Sequence, residues 1–169
     1  GKLANVPPKE IQELWDKAEV KRTPAEWALK WLWNQPEVTL LLSGMNSMSQ
    51  VDENMKIAEE TLAGSMTNEE LAIVDKVKAR YKELTKVSCT NCKYCLPCPA
   101  GVEIPRVFAI YNQAAVYNNW QNCSRDYGKM EEGKKADACV ECGACEGACP
   151  QNLTIRQYLK EAHAALVNS

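Results

Sequence analysis

Residues 89–99 read CTNCKYCLPCP and residues 139–150 read CVECGACEGACP, and these two motifs hold eight of the nine cysteines in the chain. Each motif has three cysteines in steps of three residues, then a fourth cysteine followed by proline. The spacing is C-x2-C-x2-C-x2-C in the first motif and C-x2-C-x2-C-x3-C in the second. Beyond Lys86 no stretch has the alternating or β-branched pattern of a strand, so this half is predicted to be mostly helical.

The cysteine spacing favours two 4Fe-4S clusters. Such a cluster takes one thiolate per iron, and a tight loop with cysteines three residues apart can reach three of its corners. In two-cluster proteins with this pattern, the fourth cysteine of each motif ligates the other cluster. The predicted ligand sets are Cys89, Cys92, Cys95 and Cys149 for one cluster, and Cys139, Cys142, Cys145 and Cys98 for the other.

The alternative is a metal-stapled structural or interaction module, with zinc or without metal, that has no redox activity. Four-cysteine zinc sites typically use two C-x2-C pairs separated by a longer stretch, which fits these motifs poorly. Disulfides are typical of exported proteins, and the N-terminus lacks a basic stretch followed by an apolar core. A cytoplasmic protein is therefore expected.

Composition excludes two classes of partner. The 20 basic and 22 acidic side chains nearly cancel, which argues against electrostatic binding of nucleic acid. No run of about twenty apolar residues is present, so no membrane span is predicted.

Local patterns in the first half predict helix, strand, helix, helix. Thr23 with Glu26, Ser47 or Ser49, and Thr67 with Glu70 are candidate N-terminal helix caps. Residues 38–42, VTLLL, follow a proline and precede Ser-Gly, so they are predicted to form a buried strand of parallel type.

In the second half a helix is predicted after Ile104 and Pro105, a more polar helix over residues 128–138, and a final helix with Thr154 and Gln157 as a capping box. Gly143 and Gly147 suit the second cysteine loop, because some positions there need a positive φ. The first motif has no glycine.

Two reactive residue types lie outside the motifs. Cys123 is predicted to be a free thiol without a role, and no acid or nucleophile motif accompanies His163, the only histidine. No catalytic residue is therefore assigned.

The cysteine motifs resemble those of α-helical ferredoxin domains attached to larger oxidoreductases, because about forty residues of helical pattern separate them. The resemblance covers residues 85–167. It implies that single electrons pass between a partner site and an external carrier, so a redox partner or electron carrier protein is expected.

Residues 23–54, TPAEWALKWLWNQPEVTLLLSGMNSMSQVDEN, resemble the last helix, last strand and cofactor-binding loop of an aldo/keto reductase barrel. Together with the helical ferredoxin region, they resemble the C-terminal part of ferredoxin-containing aldo/keto reductases. In that family the loop binds the adenosine and phosphate part of a nicotinamide cofactor, and the matching positions are Gly44, Met45, Asn46, Gln50, Glu53 and Asn54.

The resemblance implies a mainly α chain: residues 1–85 as a fragment of an α/β (TIM-type) barrel, and residues 86–169 as an α-helical ferredoxin-like domain with two 4Fe-4S motifs. The family's catalytic Asp, Tyr, Lys and His tetrad has no counterpart here, and the cofactor loop has no Arg or Lys for a 2'-phosphate. The chain therefore resembles a fragment, with NAD(P) expected only in a full-length parent.

Overall fold

The computed structural model describes residues 6–168, and within that range the regular structure is entirely helical. The mainly α class predicted from the sequence is confirmed. No helix in this range is long and apolar enough to cross a membrane. The helices are α1 (Lys9–Trp15), α2 (Pro24–Trp33), α3 (Met48–Glu60), α4 (Asn68–Leu84), α5 (Ile104–Tyr117), α6 (Trp120–Gly128), a 3-10 turn (Ala136–Ala138), α7 (Ala144–Gly147) and α8 (Ile155–Val167).

The chain divides into two compact units between Tyr81 and Lys82, inside α4. The sequence prediction placed the boundary between residues 85 and 86. We call the two parts the N-terminal unit and the cysteine unit.

Helix starts in the N-terminal unit follow the predicted caps. The Thr23 hydroxyl accepts a hydrogen bond from the Glu26 amide at 3.1 Å. Thr67 and Glu70 form a reciprocal capping box, because the Glu70 amide donates to Thr67 Oγ1 at 3.2 Å and the Thr67 amide donates to Glu70 Oε2 at 2.9 Å. Each cap satisfies amides that the first helical turn leaves without a partner. These helix predictions are confirmed.

Aromatic packing forms much of the interior of the N-terminal unit. Trp15 and Trp27 stack with ring centroids 5.0 Å apart, and both are buried. The Arg22 guanidinium lies 4.6 Å from the Trp27 ring centroid and also pairs with Glu70. A cation over an indole face is a favourable contact, so Arg22 links the aromatic pair to the start of α4.

The predicted strand over residues 38–42 is wrong. These residues form no ladder with any other part of residues 6–168, and the side chains of Leu40 and Leu42 are 72% and 94% exposed. A strand exists only when its backbone pairs with a neighbour. The apolar run therefore continues as irregular chain in this structure.

The cysteine unit is built around α5, α6 and α8, which pack on one another. Its interior contains apolar side chains from these helices and from the segments that enter the cysteine loops; those exposed by 2% or less are Val87, Val102, Ile104, Val107, Phe108, Ala114, Cys123, Tyr127, Ile155, Leu159, Ala162 and Leu166. The two cysteine motifs lie outside the long helices. The helices thus form a framework to which the two loops attach.

The helix predicted over residues 128–138 is misplaced. The helix is α6, which ends at Gly128, and the following chain turns at Gly133 with φ +79° before the 3-10 turn. A glycine adopts this left-handed conformation at little cost, and an α-helix cannot pass through it. The apolar spacing of Trp120, Cys123 and Tyr127 was the signal that could have located α6.

The predicted capping box of Thr154 and Gln157 is also wrong, although the helix that follows is present. The Thr154 side chain makes no cap hydrogen bond. The Arg156 amide in the first turn of α8 donates instead to Glu146 Oε1 at 2.9 Å. The cap therefore comes from the second cysteine motif, ten residues away.

Candidate functional site

Two small cavities in the cysteine unit contain the eight motif cysteines, four each. The first cysteine cavity is lined by Cys89, Cys92, Cys95 and Cys149. The second cysteine cavity is lined by Cys98, Cys139, Cys142 and Cys145. Each cavity thus takes three cysteines from one motif and the last cysteine from the other, the same grouping as the predicted ligand sets.

Cys98 reaches the second cysteine cavity because the chain that follows it runs beside the chain that precedes Cys139. The Glu103 amide donates to the Lys134 carbonyl at 2.9 Å. Gly101 has φ +81°, and a Cβ added there would lie 3.2 Å from the Gly133 carbonyl oxygen. A side chain at residue 101 would be strained by this φ and would crowd the Gly133 carbonyl, so glycine suits this close approach.

Cys149 reaches the first cysteine cavity through the segment that joins α7 to α8. The Asn152 amide donates to the Cys149 carbonyl at 3.0 Å, which turns the chain after the second motif. Leu153 and Ile155 then line the first cavity, and Ile155 is buried. Packing of the apolar start of α8 against the first cavity thus places Cys149, at the end of the second motif, in the lining of that cavity.

The two cavities share one wall. Ile104, at the start of α5, lines both cavities and is buried. Phe108 adds to the lining of the first cavity and Leu159 to that of the second. The sites are therefore neighbours inside one unit, with apolar side chains next to the thiols.

The middle cysteine of each C-x2-C-x2-C run, Cys92 or Cys142, is exposed, whereas the other motif cysteines are half-buried. Burial raises the pKa of the Cys95 thiol to about 11, and the neighbouring thiols of Cys89, Cys145 and Cys92 add to this effect. Metal binding to such a thiol must displace its proton.

The second cavity shows the same thiol chemistry. Burial raises the pKa of the Cys145 thiol, and the Glu146 carboxylate and the thiols of Cys139 and Cys98 raise it further. Cys98 is therefore close enough to interact electrostatically with a cysteine of the other motif.

The two loops share one backbone feature around their middle cysteine. Residues on both sides of Cys92 have positive φ, with Asn91 at +57° and Lys93 at +65°. In the second loop Glu141 at +56° and Gly143 at +78° occupy the matching positions. The expectation that Gly143 needs a positive φ is confirmed, whereas Gly147 has no positive φ and lies in α7.

Glu146 and Arg156 connect the second loop to α8. Besides accepting the Arg156 amide, Glu146 accepts a hydrogen bond from Arg156 Nε at 3.0 Å. This hydrogen bonding with Arg156 lowers the pKa of the Glu146 carboxyl and raises the pKa of the guanidinium. Arg156 also lines the second cysteine cavity.

A polar network inside the cysteine unit was missed by the sequence analysis. Tyr127 Oη lies 2.8 Å from His163 Nδ1 and accepts a hydrogen bond from the Ala136 amide at 3.0 Å. The Tyr127 hydroxyl therefore connects three elements: α6, the 3-10 turn before Cys139, and α8. The three residues of this network are separated in sequence and match no known spacing, so sequence patterns do not indicate it.

Cys123, predicted to be a free thiol, is buried in α6 and lines neither cysteine cavity. Burial raises the pKa of this thiol, and Asp126 adds to the effect. A protonated, buried thiol is a poor nucleophile. Cys123 therefore contributes to packing.

Five of the six predicted nucleotide-loop residues line a cavity of about 720 Å³ in the N-terminal unit: Gly44, Met45, Gln50, Glu53 and Asn54. Asn46 does not line it, and its amide donates to Gln50 Oε1 at 2.9 Å. Glu53 accepts a hydrogen bond from the Thr23 hydroxyl at 2.6 Å. No Arg or Lys of the described residues lines this cavity.

No three His, Cys, Asp or Glu side chains within residues 6–168 converge as they do around a single metal ion. Comparison with known proteins identifies residues 88–154 as a 4Fe-4S dicluster domain. The predicted iron-sulfur domain is thereby confirmed. No curated protein and no solved structure matches the chain.

Proposed function

We propose that this chain transfers electrons through two 4Fe-4S clusters, one held by the four thiolates of each cysteine cavity. The observation that carries the proposal is the division of the eight motif cysteines into two groups of four around adjacent cavities. A cubane needs four thiolates, and two such sites that share the Ile104 side chain in their lining suit passage of electrons from one to the other. Each bound cluster supplies a one-electron redox couple.

The chain's own residues supply the environment that governs this chemistry. Ile104, Phe108 and Leu159 limit access of water to the inner side of the two cavities. The positive φ values around Cys92 and Cys142 form the bends by which the loops wrap around the cavities. Burial and hydrogen bonds to the sulfurs are the usual means by which a protein sets a cluster's potential.

Electrons are proposed to enter and leave at the exposed cysteines. Cys92 and Cys142 are exposed, and each has an exposed apolar neighbour, Tyr94 at 69% and Val140 at 68%. A redox partner or electron carrier protein is the proposed partner at these two places.

The first experiment is metal analysis of protein made and purified without oxygen. Two cubanes would give about eight irons and about eight acid-labile sulfides per chain, with visible absorbance that bleaches on reduction. Stoichiometric zinc without sulfide would instead establish the metal-stapled module and overturn the proposal. Reoxidation of the reduced protein by a one-electron acceptor tests the transfer step itself.

The wider context that we propose is an aldo/keto reductase-like oxidoreductase. Its support is the sequence resemblance of residues 23–54 and the cavity of about 720 Å³ lined by Gly44, Gln50 and Glu53, which has the size of a small-molecule site. In this proposal NAD(P) binds only when a full-length parent completes the site.

Calorimetric titration with NAD⁺ and NADP⁺ tests this context, using the chain and any longer natural polypeptide that contains it. Binding by the longer protein that weakens in Glu53→Ala supports a nucleotide site. Asp52→Ala is the matched control, because Asp52 is the neighbouring acid and does not line the cavity. Absence of binding in both proteins would contradict the proposal while leaving the iron-sulfur function intact.

A further inference from the structure

Arg156 has a position that the electron-transfer function alone does not explain. Among the described residues that line the second cysteine cavity, Arg156 alone carries a charge. Its guanidinium carbon lies 3.9 Å from the place that a Cβ on Gly143 would occupy, so it lies directly over the second loop.

Arg156 holds the second loop at more than one point. Its Nη2 lies 2.8 Å from Glu146 Oε2, its Nε donates to the same oxygen, and its main-chain amide donates to Glu146 Oε1. Its Nη1 also donates to the Glu141 carbonyl at 3.4 Å, on the other side of Cys142. A planar guanidinium is suited to holding several acceptors in one fixed geometry.

The charges around the two cavities differ. The second motif contains two acidic residues, Glu141 and Glu146, and α8 supplies a cation for each, with Lys160 Nζ lying 2.9 Å from Glu141 Oε1. The first motif contains one charged residue, Lys93, and no acid. A carboxylate next to a site that gains an electron disfavours the reduced state, and a nearby cation offsets this.

We propose that Arg156 is a positioning residue of the second cysteine cavity, which fixes the second loop on α8 and balances the charge of Glu146 so that this site remains reducible. The proposal rests on the proposed function, because it concerns the potential of a cluster held there. It predicts that removal of the guanidinium charge lowers the reduction potential of the second site alone.

The test is a potentiometric titration, followed by electron paramagnetic resonance, of the cluster-loaded chain. Arg156→Gln should make reduction of one site about tenfold less favourable, a shift of about 59 mV for a one-electron couple, and leave the other site unchanged. Arg156→Lys, which keeps the charge, should restore most of the potential. Arg125→Gln is the control, because Arg125 is an exposed arginine on α6 that lines neither cavity.

The affected site is identified in single-site backgrounds. With Cys89→Ala and Cys92→Ala, which remove two thiolates of the first cavity, Arg156→Gln should still shift the remaining site. With Cys98→Ala and Cys142→Ala, which remove two thiolates of the second cavity, it should have no effect. A shift only in the Cys98/Cys142 background would overturn the assignment of Arg156 to the second cavity.

Hydrogen exchange separates the positioning role from the charge. Both Arg156→Gln and Arg156→Lys should increase exchange in residues 141–147, since neither can hold Glu146 and the Glu141 carbonyl together. If Arg156→Gln fails to load its second site, Glu146→Gln replaces it, and the expected shift is to a more positive potential. Unchanged potential and exchange in Arg156→Gln would refute the inference.

The outcomes also separate this inference from the proposed function. Wild-type protein without iron would refute the proposed function, and the exchange measurement would still decide the positioning role. Wild-type protein with two reducible sites, and Arg156 variants identical to it, would refute only the inference.

Discussion

The last cysteine of each motif lines the cavity that holds the first three cysteines of the other motif. This arrangement predicts different results for two double variants. Cys98→Ala with Cys142→Ala removes two thiolates from the second cysteine cavity and none from the first. Cys98→Ala with Cys92→Ala removes one thiolate from each cavity. If each motif instead ligated its own cluster, the effects of the two pairs would be interchanged.

The expected iron content of each variant follows from the number of thiolates that remain in each cavity. In the Cys98/Cys142 variant one cavity keeps four and the other keeps two, so iron should fall from about eight to about four per chain, all in intact cubanes. In the Cys98/Cys92 variant each cavity keeps three, so no cubane retains a complete cysteine set. Any iron that remains is then expected in three-iron clusters or in cubanes with a replacement ligand.

Iron and sulfide analysis under anaerobic conditions gives the stoichiometry, and electron paramagnetic resonance distinguishes four-iron from three-iron clusters. Cys123→Ser is the control, because Cys123 lines neither cavity and its loss should leave the iron content unchanged. The opposite result would be about four irons in intact cubanes in the Cys98/Cys92 variant and no intact cubane in the Cys98/Cys142 variant. It would refute the ligation of each cluster by the last cysteine of the other motif.

Two further predictions concern how the cysteine unit holds its loops. Tyr127→Phe keeps the ring but leaves the Ala136 amide and His163 Nδ1 without their partner, so it should lower the free energy of unfolding by about 1–3 kcal/mol; an unchanged urea midpoint by circular dichroism would contradict this. Gly143→Ala should lower the free energy of unfolding by about 1 kcal/mol, because φ at this position is +78°. Gly147→Ala should change it little, because Gly147 has no positive φ and a Cβ there would meet nothing within 4 Å. Equal urea midpoints for the two variants would contradict the predicted strain at Gly143.

Features that depend on neighbouring residues could be predicted from the sequence. The helix caps at Thr23 and Thr67 were predicted correctly, because donor and acceptor lie within one helical turn. The 4Fe-4S domain was recognised for a similar reason, since three of its thiols lie on one short loop. The cysteine cavities group the same residues as the predicted ligand sets, and ligation itself stays a prediction.

Features that depend on distant partners could not be predicted. The apolar run at residues 38–42 has the composition of a buried strand, but composition does not reveal whether a neighbouring strand is present. In the structure Leu40 and Leu42 are exposed and the run is irregular. Periodicity indicates what a segment prefers to bury, and tertiary contacts determine whether it does.

The N-terminal cap of α8 is an example of such a distant partner, and it links this helix to the second cysteine motif. Thr154 has the right residue type and position, but the Arg156 amide is satisfied by Glu146, which lies between Cys145 and Cys149. The position of Glu146 depends on the shape of the second loop, which local sequence rules do not describe. Because metal-ligand free energy is folding free energy in small metallo-domains, a loop that orders around bound metal would also order the start of α8. Ile155 and Leu159 in that part of α8 line the first and second cavities respectively, so the helix and the two sites support one another.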